Sequence, residues 1–390
     1  MSKSWQTRLM HPDVTAPGGY RSLVTPVYRG STTIFPSAAA VTDQWHQERV
    51  GYTYGLYGTP TALELAARIC ELESGRYTIL TPGGQSAISL IDFALLNAGD
   101  HILVPRSVYA PNRLLTKSLL ARFGVTATFY DPLVGDGIAD LIAPNTRLVW
   151  TESPGSVTME VQDVPAIAAA AHARGVTVVL DNTWAAGVLF DAFAHGVDVT
   201  MQAITKYIGG HSDLLLGSIT VRDETLHDRI GAARQVVGCA VSPDDCSLAL
   251  RGLQTLAVRL SAVEDSALAI ARWLAQRPEV ERVLHPALPS CPGHEFWKRD
   301  FSGSSGVFSF VLKRGPTREQ VHSFVDALRL FKVGYSWAGT TSLAVAYTIA
   351  GAERPRYDHR LVRLSIGLES TEDLIADIEQ ALTTFSAEAF

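Results

Sequence analysis

Between residues 61 and 222 the chain alternates between two hydrophobic spacings. Short apolar runs rich in β-branched residues predict buried strands, and apolar residues three or four positions apart predict the helices between them. The predicted strands are YTILTP, HILVP, VTATFYD, RLVWTES, VTVVLDN, VDVTMQAIT and LLGSITV. The predicted helices are TALELAARICELES, SAISLIDFALLNAG, LLTKSLLARFG and VPAIAAAAHARG. This alternation predicts a mostly parallel sheet with helices on both faces, which binds ligands at the carboxyl ends of its strands.

The two ends of the chain have different patterns. Residues 1 to about 60 are broken by proline and glycine but contain many aromatic residues, which disordered segments lack. We therefore expect an N-terminal arm over 1–60 that contacts a neighbouring subunit, followed by a large domain over 61–250. A long helical pattern, LQTLAVRLSAVEDSALAIARWLAQ, then leads to mixed strands and helices such as GVFSFVLKR and REQVHSFVDALRLF. These features predict a smaller C-terminal α+β domain over 251–390 with a linking helix.

Charge and composition exclude several classes of protein. The 390 residues carry a formal net charge of −6, and no run of basic residues provides the positive surface that binds nucleic acid. No apolar stretch approaches the roughly 20 residues that span a bilayer, so we expect no membrane partner. Hydrophobic residues make up 47% and charged residues 18%, which favours surface buried between subunits.

Histidine and cysteine positions indicate neither a metal site nor a disulfide framework. The 11 histidines and 4 cysteines are scattered without metal-ligand or redox spacing. The opening residues also lack the apolar core of a secretory signal. We expect a cytoplasmic protein without a metal centre.

Two residues at the ends of predicted strands suggest cofactor chemistry. Asp181 ends VTVVLDN, and Lys206 follows VDVTMQAIT and precedes a glycine pair. A lysine held beside apolar surface has a lowered amine pKa and becomes a usable nucleophile. An aspartate one βα step before such a lysine fits pyridoxal phosphate (PLP), with the lysine as Schiff base and the acid on the ring nitrogen. Taken separately, Asp181 is equally explained as a turn cap and Lys206 as a solvated side chain.

Three further features suit the same chemistry. The turn PGGQS, with Gly83 and Gly84, precedes a helix whose free N–H groups suit a phosphate, although an ordinary βα turn explains it too. Tyr109 follows HILVP, where its ring either stacks on a flat cofactor or belongs to the core. Arg363 in RLVRLSIGL suits bidentate hydrogen bonding to a substrate carboxylate. A structural ion pair is the alternative explanation.

Around these residues the chain resembles the Cys/Met-metabolism family of PLP-dependent enzymes. The motifs are TKYIGGHSD around Lys206 and DNTWAAG around Asp181, and ESPGSVTMEVQDVP, YSWAG and HPALPSCPGHEFWKRDFSGSSGVFSFVLK are similar to its bacterial cystathionine β-lyases. The resemblance runs from about residue 20 to 385. It implies an α/β fold of PLP fold type I (aspartate-aminotransferase-like), with a mostly parallel seven-stranded sheet and a smaller C-terminal α+β domain. It also implies a homotetramer, a dimer of dimers, whose active sites are shared between subunits.

The resemblance assigns roles by matching position. Lys206 would form the Schiff base and shuttle protons, Asp181 would keep the ring nitrogen protonated, and Tyr109 would stack on the ring. The implied phosphate contacts are Gly84, Gln85, Thr205 and, from the adjacent subunit, Tyr54. The implied contacts with a small amino-acid substrate are Arg363, which holds its carboxylate, and Ser336, Trp337, Tyr335 and Gln235.

The residue before Ser336 bears on the type of reaction. In the family this position often carries Glu in γ-acting members and Tyr in β-lyases, so Tyr335 implies β-elimination. The implied reaction converts L-cystathionine to homocysteine, pyruvate and ammonia, a step of transsulfuration and methionine biosynthesis. The alternatives are a γ-lyase of a substituted homoserine (methionine, homocysteine or canavanine) and a non-catalytic PLP-binding regulatory protein.

Three positions depart from the family pattern. Leu56 stands where the family has the Arg of a Tyr-x-Arg motif that reaches the neighbour's phosphate. Gln85 replaces a small or apolar residue, and Gln235 lies where close β-lyases have a Tyr that reaches the active site. Leu56 bears on the strength of phosphate binding, and the two glutamines bear on the choice of substrate.

Overall fold

The computed structural model describes residues 22–349 and 357–385. The first part of the predicted arm, residues 1–21, lies outside the described residues. The large sheet has seven strands. They are β1 (Tyr77–Thr81), β2 (His101–Pro105), β3 (Thr126–Tyr130), β4 (Thr146–Glu152), β5 (Thr177–Asp181), β6 (Val199–Gln202) and β7 (Gly217–Val221). The smaller sheet consists of β8 (Val280–Leu284), β9 (Val307–Leu312), β10 (Lys332–Val333), β11 (Leu343–Ile349) and β12 (Asp358–Ser365).

The helices of the described residues pack around these two sheets. In the first part of the chain they are α1 (Gln47–Val50), α2 (Pro60–Leu72), α3 (Gly84–Leu95), α4 (Ala110–Leu115), α5 (Val164–His172) and α6 (Glu224–Val237). The later ones are α7 (Pro243–Gln254), α8 (Leu256–Leu274), α9 (His294–Asp300), α10 (Arg318–Asp326) and α11 (Thr371–Leu382). No helix in the described part of the chain is both long and apolar enough to cross a membrane.

The strand order of the large sheet places the ends of the predicted ligand-binding strands at one edge. The order is β1-β7-β6-β5-β4-β2-β3, and β7 is antiparallel to both of its neighbours. The other six strands therefore run in one direction and end at the same edge. This confirms the mostly parallel sheet of an α/β fold that the hydrophobic pattern predicts.

The core of the large sheet lies on both of its faces because side chains alternate along each strand. On β2, Ile102 packs with the residues under α3, and its neighbour Leu103 packs with those under α5. Both side chains are fully buried. Such two-sided burial explains why the strands have continuous apolar runs instead of alternating polar and apolar residues.

Part of the predicted arm packs on α6 of its own chain. The Trp45 ring occupies the space over Gly231, where an added Cβ would overlap it. Nearby, the buried Arg234 guanidinium donates hydrogen bonds to the Leu56 and Tyr57 carbonyl oxygens at 3.0 and 3.2 Å. Contact of the arm with a neighbouring subunit stays a prediction.

The long helical pattern after Gly252 corresponds to α8, and its first residues belong to the preceding α7. Thr255 adopts φ −111° and ψ 4° and separates the two helices. The break lets α7 end against the turn after Lys206, where a Cβ on Gly252 would meet the Gly209 carbonyl oxygen at 2.5 Å. The glycine thus permits the close approach of two backbone segments.

Candidate active site

The carboxyl edge of the large sheet collects polar side chains from several strands. Asp181 ends β5, Glu152 ends the adjacent β4, and these two residues are register partners. Lys206 follows β6 in a turn, while α3 begins just after β1. Because neighbouring strands end together, residues far apart in sequence surround one space.

Lys206 places a buried amine at this edge. Its Nζ donates a 2.6 Å hydrogen bond to the Ser336 Oγ and lies 5.4 Å from the centre of the Trp337 ring. The pKa of the Lys206 amine is lowered to about 8, mainly by burial and also by the positive charge of Arg363, while the negative charge of Asp181 opposes both. About a tenth of the amine is therefore uncharged and nucleophilic at pH 7, far more than for an ordinary lysine.

Asp181 is held in one orientation by the residue two positions later. The Thr183 N–H and hydroxyl both donate to Asp181 Oδ1, at 3.0 and 2.5 Å. Burial raises the pKa of Asp181, and the Thr183 hydrogen bonds and the Lys206 charge lower it. A buried carboxylate of this kind stabilises a protonated ring nitrogen placed beside it.

The start of α3 forms an open cradle. A Cβ on Gly83 would meet nothing within 4 Å, whereas one on Gly84 would lie 2.8 Å from the Ala203 Cβ. Gly84 thereby lets the helix start close to the segment that leads to Lys206. Thr205 directly precedes Lys206, and its Oγ1 exchanges 3.1 Å hydrogen bonds with the main chain of Leu216. Gln85 donates to the Pro111 carbonyl oxygen at 3.4 Å, and its buried Oε1 has no partner.

Arg363 approaches from the smaller sheet. It lies on β12 and is 7% exposed. One of its Nη atoms donates to the Ser336 carbonyl oxygen at 2.9 Å, and its buried Nε has no hydrogen-bond partner. Ser336 itself has φ +75°, so the loop turns its hydroxyl to the amine and its carbonyl to the guanidinium.

Tyr109 stands at the end of the β2 loop, with its main-chain N–H donating to Glu152 Oε2 at 2.6 Å. Burial raises the pKa of its hydroxyl, and the negative charges of Asp181 and Glu152 raise it further. Tyr109 is 43% exposed, so part of it is open to a ligand.

The structure does not bring every predicted site residue to Lys206. Tyr54 belongs to the arm, where its ring packs edge-on to Tyr57 at 6.3 Å. Gln235 lies on α6 and donates to the Asp43 carbonyl oxygen at 3.4 Å. Tyr335 is 80% exposed beside the Ser336 loop. The proposed roles of these three residues stay predictions.

Three residues at the site are absent from the sequence-based predictions. Glu152 and Thr183 could have been found from the sequence, because each lies at or just after the end of a predicted strand at the ligand-binding edge. Tyr347 carried none, because the pattern did not predict β11. Its ring centre lies 5.4 Å from the Arg363 guanidinium carbon.

These residues fit PLP. The open space at Gly83 and the free N–H groups of the α3 start suit its phosphate. Asp181 suits its ring nitrogen, Tyr109 its ring face and Lys206 its aldehyde. The unpartnered Nε of Arg363 suits the carboxylate of an amino acid presented to the cofactor.

Comparison with known proteins agrees with this arrangement. A putative cystathionine beta-lyase of Rhizobium johnstonii is 46% identical over 98% of this chain and 96% of its own. The cystathionine beta-lyase of Escherichia coli K12 is 42% identical over 90% and 91%. The crystal structure of cystathionine gamma synthase from Xanthomonas oryzae superposes with a TM-score of 0.85, at 31% identity and 93% coverage of both chains. The family described as Cys/Met metabolism PLP-dependent enzyme matches residues 6–383, and the chain belongs to that family.

Proposed function

We propose that this chain is a carbon–sulfur lyase that cleaves L-cystathionine by β-elimination, consuming water and giving homocysteine, pyruvate and ammonia. The observation that carries the proposal is the buried Lys206 amine, whose pKa is affected by the charges of both Asp181 and Arg363 and whose Nζ donates to Ser336. An amine of lowered pKa can take a proton from a substrate carbon, and the two flanking groups suit the ring nitrogen and the substrate carboxylate.

Each side chain has one task in this proposal. Arg363 binds the substrate carboxylate and fixes the direction of its Cα–H bond. Lys206 Nζ removes that proton and delivers it later to another atom, while Ser336 holds the amine by its 2.6 Å hydrogen bond. When bound, PLP withdraws electrons from the substrate Cα, so that the bond from Cβ to sulfur can break.

Several relatives support the choice of reaction. Proteins from Salmonella typhimurium and Haemophilus influenzae named cystathionine beta-lyase are 40% and 41% identical to this chain. Tyr335 before Ser336 points the same way through the family pattern. A γ-acting relative also exists, because a protein of Dictyostelium discoideum named cystathionine gamma-lyase is 33% identical.

A γ-elimination of a substituted homoserine is the second candidate. The unpartnered Oε1 of Gln85 favours it, since an extra hydrogen-bond acceptor suits a more polar leaving group than a thiol. Leu56 and Gln235 are further departures from the β-lyase pattern. In this chain, however, Leu56 belongs to the arm and Gln235 donates a hydrogen bond to it.

Product identification separates the candidates. The holoenzyme is incubated separately with L-cystathionine, L-methionine and L-canavanine, and products are identified by mass spectrometry. We expect pyruvate with homocysteine from cystathionine and little from the others. 2-Oxobutanoate or homoserine would instead establish γ-chemistry, and no product from any substrate would favour a non-catalytic PLP-binding protein.

We also propose a homotetramer in which Tyr54 reaches the phosphate of an adjacent subunit. The exposed apolar side chains of the arm support this assembly, since Leu23, Val24 and Ile34 are each more than half exposed in the single chain. Light scattering of the holoenzyme tests it, and a monomer would contradict it. The division into an arm, a large domain and a C-terminal domain at residues 60 and 250 is part of the same proposal.

A further inference from the structure

Arg363 is a buried cation whose orientation needs an explanation. Among the described residues no carboxylate is one of the groups that affect its pKa, which burial lowers. One Nη atom is fixed by the Ser336 carbonyl oxygen, but a single hydrogen bond leaves the guanidinium plane free to rotate about it. A side chain that contacts the flat face of the group would remove this freedom.

Tyr347 supplies that contact. In the β11–β12 ladder Val345 pairs with Arg363, so Tyr347, two positions further, is the diagonal neighbour of Arg363 on the same face of the sheet. The guanidinium carbon lies 5.4 Å from the centre of the Tyr347 ring, within the range of a cation–π interaction. The Tyr347 hydroxyl also interacts with the guanidinium, and its pKa is lowered by the Arg363 charge against the larger effect of burial, which raises it.

The surroundings of Tyr347 hold it in place. Tyr335 packs edge-on against it at 6.5 Å. Its backbone lies in β11, between β10 and β12 in the smaller sheet. The ring thus contacts both Tyr335 and Arg363, while the unpartnered Nε of the guanidinium stays available for a ligand.

We propose that Tyr347 is a positioning residue that holds Arg363 in the orientation that binds the free carboxylate of an α-amino acid. The site then selects substrates with an unblocked carboxylate and discriminates against their amides and esters. This inference rests on the proposed function only in requiring that an amino acid binds beside the cofactor, whichever bond is later broken.

Binding of glycine and of glycinamide to the holoenzyme tests the proposal. Neither compound has a leaving group, and binding is followed by the change in visible absorbance of the cofactor. We expect wild-type protein to prefer glycine. Tyr347→Leu should weaken glycine binding about 5- to 10-fold, the scale of a partly buried cation–π contact, and leave glycinamide binding unchanged. Tyr347→Phe keeps the ring and should stay within about threefold of wild type.

A matched control separates positioning from packing. Tyr357 precedes β12 and is buried, and the charge of Arg282 affects its pKa. Tyr357→Leu should leave both dissociation constants unchanged. For the lyase reaction, Tyr347→Leu should raise KM with a smaller change in kcat, because the carboxylate contact is lost from the bound substrate.

Each outcome decides the proposal. An unchanged preference for glycine in Tyr347→Leu, or an equal loss of glycine and glycinamide binding, overturns it, and so does a wild-type protein without a preference. Expected glycine binding together with no cleavage of cystathionine supports the role of Tyr347 and rejects the lyase reaction instead.

Discussion

Lys206 and Arg363 are joined through one residue, Ser336, which accepts a hydrogen bond from each. The Lys206 Nζ donates to the Ser336 hydroxyl at 2.6 Å, and the Arg363 guanidinium donates to the Ser336 carbonyl oxygen at 2.9 Å. The link connects the large sheet with the smaller one. Two cations are held near each other in a buried space, and each disfavours the charge of the other. The lysine can lose its proton, so its pKa falls.

The pH dependence of cofactor uptake should report this arrangement. The Lys206 pKa of about 8 means that the nucleophilic amine forms as pH rises through 8. The rate at which apoprotein takes up PLP should therefore increase with a midpoint near pH 8 in stopped-flow absorbance. Arg363→Met should move the midpoint upward, because the positive charge that disfavours the protonated amine is removed. Arg222→Met, at an exposed residue, is the control, and an identical midpoint in all three proteins would contradict the electrostatic link.

The free energy of unfolding should fall as pH rises from about 4 to 7, because of the buried Asp92. This fully buried residue on α3 accepts a 2.9 Å hydrogen bond from the Trp150 indole at Oδ1, while its Oδ2 has no partner. Burial raises its pKa to about 7. The unfolded chain releases this proton near pH 4, so between about pH 4 and 7 the folded state holds the extra proton and loses stability with rising pH.

Asp92→Asn should remove that loss. The neutral amide keeps an oxygen that can accept the Trp150 hydrogen bond. The variant should be more stable than wild type, and the difference in the free energy of unfolding should grow with pH and reach on the order of 3–4 kcal/mol at pH 8. Urea unfolding at pH 5 and pH 8 measures the difference. The exposed Asp136→Asn is the control. A stability difference between Asp92→Asn and wild type that does not change with pH would contradict the argument.

The arm should detach when the space over Gly231 is filled. The Trp45 ring lies on this glycine, and Arg49 nearby donates to Glu224 of α6 at 2.6 Å. Gly231→Val should displace the ring and speed tryptic cleavage after Arg49 about tenfold, because the segment opens more often. Ala232→Val, at the exposed neighbouring position on the helix, should leave the cleavage rate unchanged. Equal rates in the two variants would mean that the arm is held elsewhere.

Restoring the missing arginine should strengthen cofactor binding. Leu56 lies in the turn that carries Tyr54, and its carbonyl oxygen is held by Arg234. If this turn reaches the phosphate of a neighbouring subunit, Leu56→Arg adds a charge-assisted hydrogen bond to it and should lower the dissociation constant of PLP severalfold. Equilibrium dialysis measures it, with Leu56→Met as control. An unchanged constant would show that the turn does not approach a phosphate.

The parts of the site that were predictable from sequence all follow predicted strands. Asp181, Tyr109 and Lys206 could be placed at one edge because parallel strands end together, and the strand patterns of β2, β5 and β6 are clear. The α3 start was visible as a glycine pair. For these residues a local pattern and a rule about sheets are sufficient.

The remaining features depend on contacts between distant segments. Tyr347 meets Arg363 only through the register of β11 and β12, which no local pattern contains. Helix α6 was not predicted because the face that holds the arm is polar, with His227, Asp228 and Arg234 at positions where an apolar stripe would have been a signal. The contact of Trp45 with Gly231 joins the arm to a helix that lies far from it in the sequence.

The attachment of PLP to Lys206 is tested most directly by reducing the holoenzyme with borohydride and locating the modified residue by peptide mass spectrometry. We expect the mass of the reduced cofactor on the peptide that contains Lys206. The Lys206→Ala protein should carry none and should lack both turnover and the visible absorbance of the bound cofactor. A cofactor found on another lysine, such as Lys117 or Lys298, or full turnover by Lys206→Ala, would contradict the assignment.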